Sequence, residues 1–164
     1  MELARFDVAV VQNMVYVFNA GIDAPFNDWS DTALAQGFSW RDGSVGFLLF
    51  TDYDPADLSA RVHLGEDASP DGATRIIRVP FRVDAGGKVC VSGIYEEGDR
   101  SVALDPGSYD LFFALTPGTP ATDDANGRLS ATFSFVTGDR SAAIERADDE
   151  LDPPAAFAMD AEPG

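Results

Sequence analysis

Cysteine, histidine and lysine occur once each in this 164-residue chain, as Cys90, His63 and Lys88. A single cysteine excludes an internal disulfide and any zinc site built on thiolates, and a single histidine excludes every His-His or His-Cys metal constellation. Basic residues are scarce. Eleven Lys and Arg face 28 Asp and Glu, for a net charge of −17 and a pI near 4.1. A surface that acidic repels phosphate, which excludes direct binding to DNA or RNA. No apolar run approaches the roughly 18 to 20 residues of a membrane span. The start, Met1-Glu2-Leu3-Ala4-Arg5-Phe6-Asp7, lacks the basic, apolar and cleavage regions of a secretory signal, so the expected location is cytoplasmic.

Apolar residues are abundant. They make up 45% of the chain, enough to build a core, and they alternate with a period of two. Ile77, Val79, Phe81 and Val83 share one face of a strand whose other face carries Arg78, Pro80 and Arg82. Pro80 cannot donate to a ladder, which points to an edge strand. Leu58, Ala60, Val62 and Leu64 alternate in the same way, as do Val45, Phe47 and Leu49; Tyr109, Leu111, Phe113 and Leu115; and Leu129, Ala131, Phe133 and Phe135. The stretch from Val8 to Phe18 is apolar on both sides and reads as one central or bulged strand. Turn residues divide these runs. Arg41-Asp42-Gly43 and Ala85-Gly86-Gly87 read as hairpin connections, and so does Asp105-Pro106-Gly107, which resembles the corner of a β-sandwich in which a tyrosine hydroxyl, here that of Tyr109, bonds back to the main chain. One segment reads as helix, with Ser30 as N-cap, Asp31 at the positive end of the dipole and Gly37 at the C-terminal stop. The expected fold is all-β, a two-sheet sandwich of eight or nine strands with one short helix, over residues 1–140.

Beyond Asp139 the alternation stops. Residues 141–164 hold seven acidic residues against Arg146 and three prolines, a net of −6 that leaves −11 on residues 1–140. This composition predicts a disordered acidic C-terminal tail whose removal leaves the melting temperature nearly unchanged.

Catalytic signals are weak. His63 is the only histidine that could activate a serine or cysteine, and its parity places it with Ser59 and Arg61 on a polar strand face. Cys90, between Val89 and Val91, reads as an inert buried thiol. Asp52-Tyr53-Asp54-Pro55-Ala56-Asp57 is rich in oxygen ligands, yet it lacks the central glycine and the twelfth-position glutamate of an EF-hand loop. No phosphate-cradling glycine loop is present. The residues call for no cofactor and favour a binding protein over an enzyme.

One ordered set of segments is more specific: Asp28-Trp29-Ser30-Asp31 running into Thr32–Phe38, then Asp42-Gly43 and the Phe47 strand, then Val79-Pro80-Phe81, then Leu104 through Pro106, Gly107, Tyr109 and Leu111. Over roughly Val8 to Thr116 this order resembles the competence protein J family, whose best-known member is an inhibitor encoded beside a DNA-entry nuclease in naturally competent bacteria. The resemblance implies a nuclease inhibitor or immunity-type protein whose partner is a bacterial nuclease or a toxin nuclease domain. Charge agrees independently, since an acidic protein can occupy a basic DNA cleft in place of phosphate. The candidate partner-binding residues are the carboxylates Asp28, Asp31, Asp52, Asp54 and Asp57 with the aromatics Trp29, Trp40 and Tyr53 as anchors. A carbohydrate- or calcium-binding sandwich module, and a hydrolase using an unmarked carboxylate pair, are the competing readings.

Overall fold

A computed structural model describes residues 1–94 and 100–164. Eleven strands lie among the described residues: β1 (Glu2–Val10), β2 (Met14–Asn19), β3 (Phe38–Arg41), β4 (Ser44–Leu48), β5 (Ala56–Leu64), β6 (Arg75–Val83), β7 (Lys88–Ser92), β8 (Ser101–Ala103), β9 (Gly107–Thr119), β10 (Gly127–Thr137) and β11 (Ala143–Arg146). Among the same residues lie one helix, α1 (Asp31–Gln36), and a 3-10 turn at Thr51–Tyr53. The strands form a six-stranded sheet, β1-β5-β10-β9-β6-β11, and a five-stranded sheet, β3-β4-β2-β7-β8. Pairing is antiparallel throughout except between β5 and β10, which run parallel from Ala56/Gly127 to Leu64/Phe135. The expected all-β, two-sheet fold with one short helix is what the chain adopts.

The alternating positions face inward as the sequence predicts. Ile77, Val79, Phe81, Val83, Leu111, Phe113, Leu115, Phe133 and Phe135 are all buried. Phe47 of β4 stacks on Phe113 of β9 at a centroid distance of 4.3 Å and so ties one sheet to the other. A stack of that kind adds about 0.5–1.5 kcal/mol to the burial itself. The Tyr109 hydroxyl donates to the Asp105 carbonyl at 2.7 Å, which is the corner bond the sequence suggested. The helix also forms as read. The Ser30 hydroxyl accepts from the Ala33 amide at 3.1 Å, and Gly37 ends the helix at φ +85°.

Four expectations need correction. The Val8–Phe18 stretch is not one strand. Gln12 and Asn13 take positive φ, and the chain turns there from β1 in the larger sheet to β2 in the smaller one. The Ala85–Gly87 and Asp105–Gly107 turns do not close hairpins within a sheet; each carries the chain from one sheet to the other, whereas Arg41–Gly43 does close the β3–β4 hairpin. Pro80 does not lie in an outermost strand, because β11 pairs beyond β6. That pairing reaches only Ile76 to Arg78, so Pro80 sits past its end, where no donor is needed.

The fourth correction concerns the expected mobile tail. Residues 141–164 are laid along the body. Ala143 and Ile144 pair with Arg78 and Ile77, and Leu151, Phe157 and Met159 pack on the core. Asp148 holds Arg75, a guanidinium only 1% exposed, through two hydrogen bonds of 2.6 and 2.9 Å. The strap continues by single contacts: Asp152 N to Ala35 O, Ala158 N to Gln36 Oε1, Ala161 N to Trp40 O and Glu162 N to Asp28 Oδ1, all between 2.9 and 3.0 Å. The strap's Leu151 packs directly on Gly37: a Cβ there would lie 2.7 Å from a Leu151 methyl, which would have to shift. These contacts order a segment whose composition alone would leave it solvated.

Candidate interaction surface

The segment from Ala24 to Ser30 is held on the smaller sheet by Asn27, which is buried. Its amide nitrogen donates to the carbonyls of Ser39 (2.9 Å) and Ser44 (3.2 Å), and its oxygen accepts from Arg41 Nε at 2.7 Å. Trp29 then lies over β4, donating its indole N–H to the buried Tyr16 hydroxyl at 2.9 Å. Gly46 makes this possible, since a Cβ there would sit 2.7 Å from the Tyr16 ring and 3.0 Å from the Trp29 ring. Tyr16 in turn donates to Asn27 O at 3.3 Å. Burial pushes the Tyr16 phenol above the ordinary tyrosine range, against the opposing hydrogen bond from Trp29. Tyr16→Phe should therefore cost about 1–3 kcal/mol by leaving the Trp29 donor unmet. A phenol raised by folding gives stability that is complete below its unfolded value and is lost as pH climbs through the folded one, so the variant should also lose less stability above about pH 10. Denaturant titrations at neutral and alkaline pH check both statements.

Trp40 projects from β3 and is fixed across the gap between the sheets, donating its indole N–H to Pro80 O at 2.7 Å. Two recesses border this residue. The first, of about 240 Å³, is lined by Asp28, Ser30, Ser39, Asp160 and Glu162 among others. The second, of about 390 Å³, is lined by Trp40, Asp42, Pro80, Arg82, Tyr109 and Asp139 among others. Asp28, Asp42, Asp139, Asp160 and Glu162 are all exposed. Asp31 opens α1 next to this surface, and Leu34 on the same helix is 46% exposed. Among the described residues, Leu34 and Met1 are the only exposed large apolar side chains.

The sequence-predicted residues thus fall into two groups. Asp28 and Trp40 share one recess, with Asp31 and Trp29 beside them in the chain. Asp52, Asp54 and Asp57 belong to the β4–β5 connection and the start of β5, where all three are exposed. Asp54 Oδ1 there accepts from the Asn13 amide at 3.3 Å. Tyr53 is corrected from surface anchor to core residue: it is 8% exposed, packs on Phe50 and donates its hydroxyl to Gly118 O at 3.3 Å. Strap residues Asp160 and Glu162 were missed because their polarity and neighbouring prolines read as tail. Asn27 and Tyr16, which position the Trp29 block, carry no sequence signal of that role.

His63 stays on the outer face, as its parity predicts, but its side chain is only 17% exposed, with Nε2 3.7 Å from Glu2 Oε1. Cys90 is half-buried on β7. Among the described residues, no three His, Cys, Asp or Glu side chains converge to hold a metal ion. No helix is long and apolar enough to cross a membrane among those same residues.

Comparison with known proteins agrees with this architecture. The family model for competence protein J (ComJ) matches residues 7–136. Among solved structures, that of ComJ from Bacillus subtilis, described as an inhibitor of the DNA-degrading activity of NucA, superposes with a TM-score of 0.67 at 20% identity. The match covers 84% of this chain and 98% of that one, and at such identity it establishes the fold. No curated protein sequence matches. Residues 137–164, which hold β11 and the strap, lie beyond the matched span.

Proposed function

Because the chain belongs to the competence protein J family, we propose that it inhibits a bacterial nuclease by binding it directly, through the acidic surface around Trp40. The observation that supports this reading is that Trp40 borders two recesses, one lined by Asp28, Asp160 and Glu162 and the other by Asp42 and Asp139, in a chain of net charge −17. A nuclease must present positive charge to DNA, and an acidic surface can take that place. Exposed ion pairs contribute little affinity singly, so the apolar centre Trp40 supplies what holds the complex, with the carboxylates as its rim. Asp52, Asp54 and Asp57 add to the long-range field from the β4–β5 connection. The protein acts by occupying the partner and performs no chemistry of its own.

The test is degradation of linear DNA by a nuclease of the NucA kind, the activity that ComJ of Bacillus subtilis inhibits, with and without one equivalent of this protein. Degradation should stop near a one-to-one ratio. Unchanged degradation, together with no complex at micromolar concentration from a folded sample, would sink the proposal.

A further inference from the structure

The recess between Trp40, Pro80 and Tyr109 offers more than general acidity. Its aromatic wall is rigid. The Trp40 N–H is committed to Pro80 O, so the indole offers the recess no free donor. Tyr109 is likewise committed, with its hydroxyl bonded to Asp105 O. Two exposed carboxylates, Asp42 and Asp139, line the same recess, and neither forms an ion pair among the described residues. Among the described residues that line it, Arg82 is the one cation, which leaves their net charge at −1. At about 390 Å³ it lies at the small end of ligand pockets and has room for a long side chain.

We infer that this recess receives a single arginine or lysine side chain of the partner, its cation over the Trp40 ring and its charge met by Asp42 and Asp139. The inference rests on the nuclease-inhibitor reading and narrows it to one docking point. A cation is favoured on both counts: the face of an indole is electron-rich and attracts positive charge, and an anion would meet two carboxylates. Fixed orientation matters as well, since a side chain already locked in place loses little freedom when a guest settles on it.

The test compares two variants with the same charge change. D42N/D139N removes the recess carboxylates, while D123N/D124N removes two exposed carboxylates in the β9–β10 connection. Both should melt close to wild type, as ordinary surface substitutions do. Against the same nuclease, D42N/D139N should weaken binding by about tenfold or more, chiefly through faster dissociation, while D123N/D124N should leave dissociation nearly unchanged. A second arm needs no nuclease. Titration with N-acetyl-L-arginine amide should shift the Trp40 indole resonance, assigned with W40F, whereas N-acetyl-L-glutamine amide should not. If wild type inhibits but the two double variants dissociate alike, the recess assignment is overturned and the inhibitor reading stands. If wild type neither inhibits nor binds, the inhibitor reading falls and the docking point falls with it. An arginine titration that leaves the Trp40 resonance unmoved likewise overturns the recess.

Discussion

Replacing Asp148 with alanine should lower the unfolding free energy by about 3 kcal/mol or more, although the residue lies in a stretch that reads as disordered. Its partner Arg75 is 1% exposed, donates also to Leu48 O at 2.8 Å, and sits over the Phe50 ring at 5.1 Å. Deleting the carboxylate leaves that guanidinium buried without a counter-ion, which typically costs about 3–5 kcal/mol. For a chain of this length the melting temperature should fall by roughly 10 °C. Deleting residues 147–164 should cost more, since it also strips Leu151, Phe157 and Met159 from the core and leaves the buried Gln36 amide without Ala158. Replacing both members of the pair by apolar residues, as in R75M/D148L, should recover much of the loss, because two buried charges are then no longer desolvated. Thermal melts of the four proteins decide it. A drop under about 2 °C for D148A would mean that the strap contributes little.

The second large effect is kinetic. Going from low salt to about 0.15 M, where the Debye length shrinks to about 8 Å, association with the nuclease should slow by about tenfold or more, and dissociation should change little. The reason is the field of a chain carrying −17, in which the strap, residues 147–164, alone contributes −6. Reversing Asp52, Asp54 and Asp57 to lysine should reduce the on-rate and flatten this salt dependence. Stopped-flow mixing across a salt series measures both. An on-rate indifferent to salt would remove electrostatic steering from the account.

What the sequence made legible follows from range. Period-two alternation is local, and the face it assigned to Ile77, Val79, Phe81 and Val83 is the face they bury. The capping of α1 by Ser30 and Gly37 and the Tyr109 corner each lie within a few residues, and each was readable. The strap was not. Its ties to the body join positions far apart in the chain, such as Glu162 with Asp28 and Ala158 with Gln36, through isolated hydrogen bonds that impose no period. The break between β1 and β2 was masked for another reason: apolar residues on both sides of Gln12 and Asn13 keep the run looking continuous although the backbone turns there. At the candidate surface, Asp28 and Trp40 were identifiable as residue types, while their joint recess needed the strap's Asp160 and Glu162 to complete it.

The bond from Ala161 to the Trp40 carbonyl has a further consequence, for solubility. β3 is the outermost strand of its sheet, and strands in that position offer unpaired backbone groups on which a second molecule can build. Here the chain's own end takes that place: Ala161 bonds Trp40 O, and Asn27 and Pro163 form an isolated bridge alongside. A molecule whose strap has been clipped or has peeled away is therefore expected to present an open rim flanked by exposed core residues. Its failure should show as concentration-dependent clumping at temperatures where the intact protein stays monodisperse.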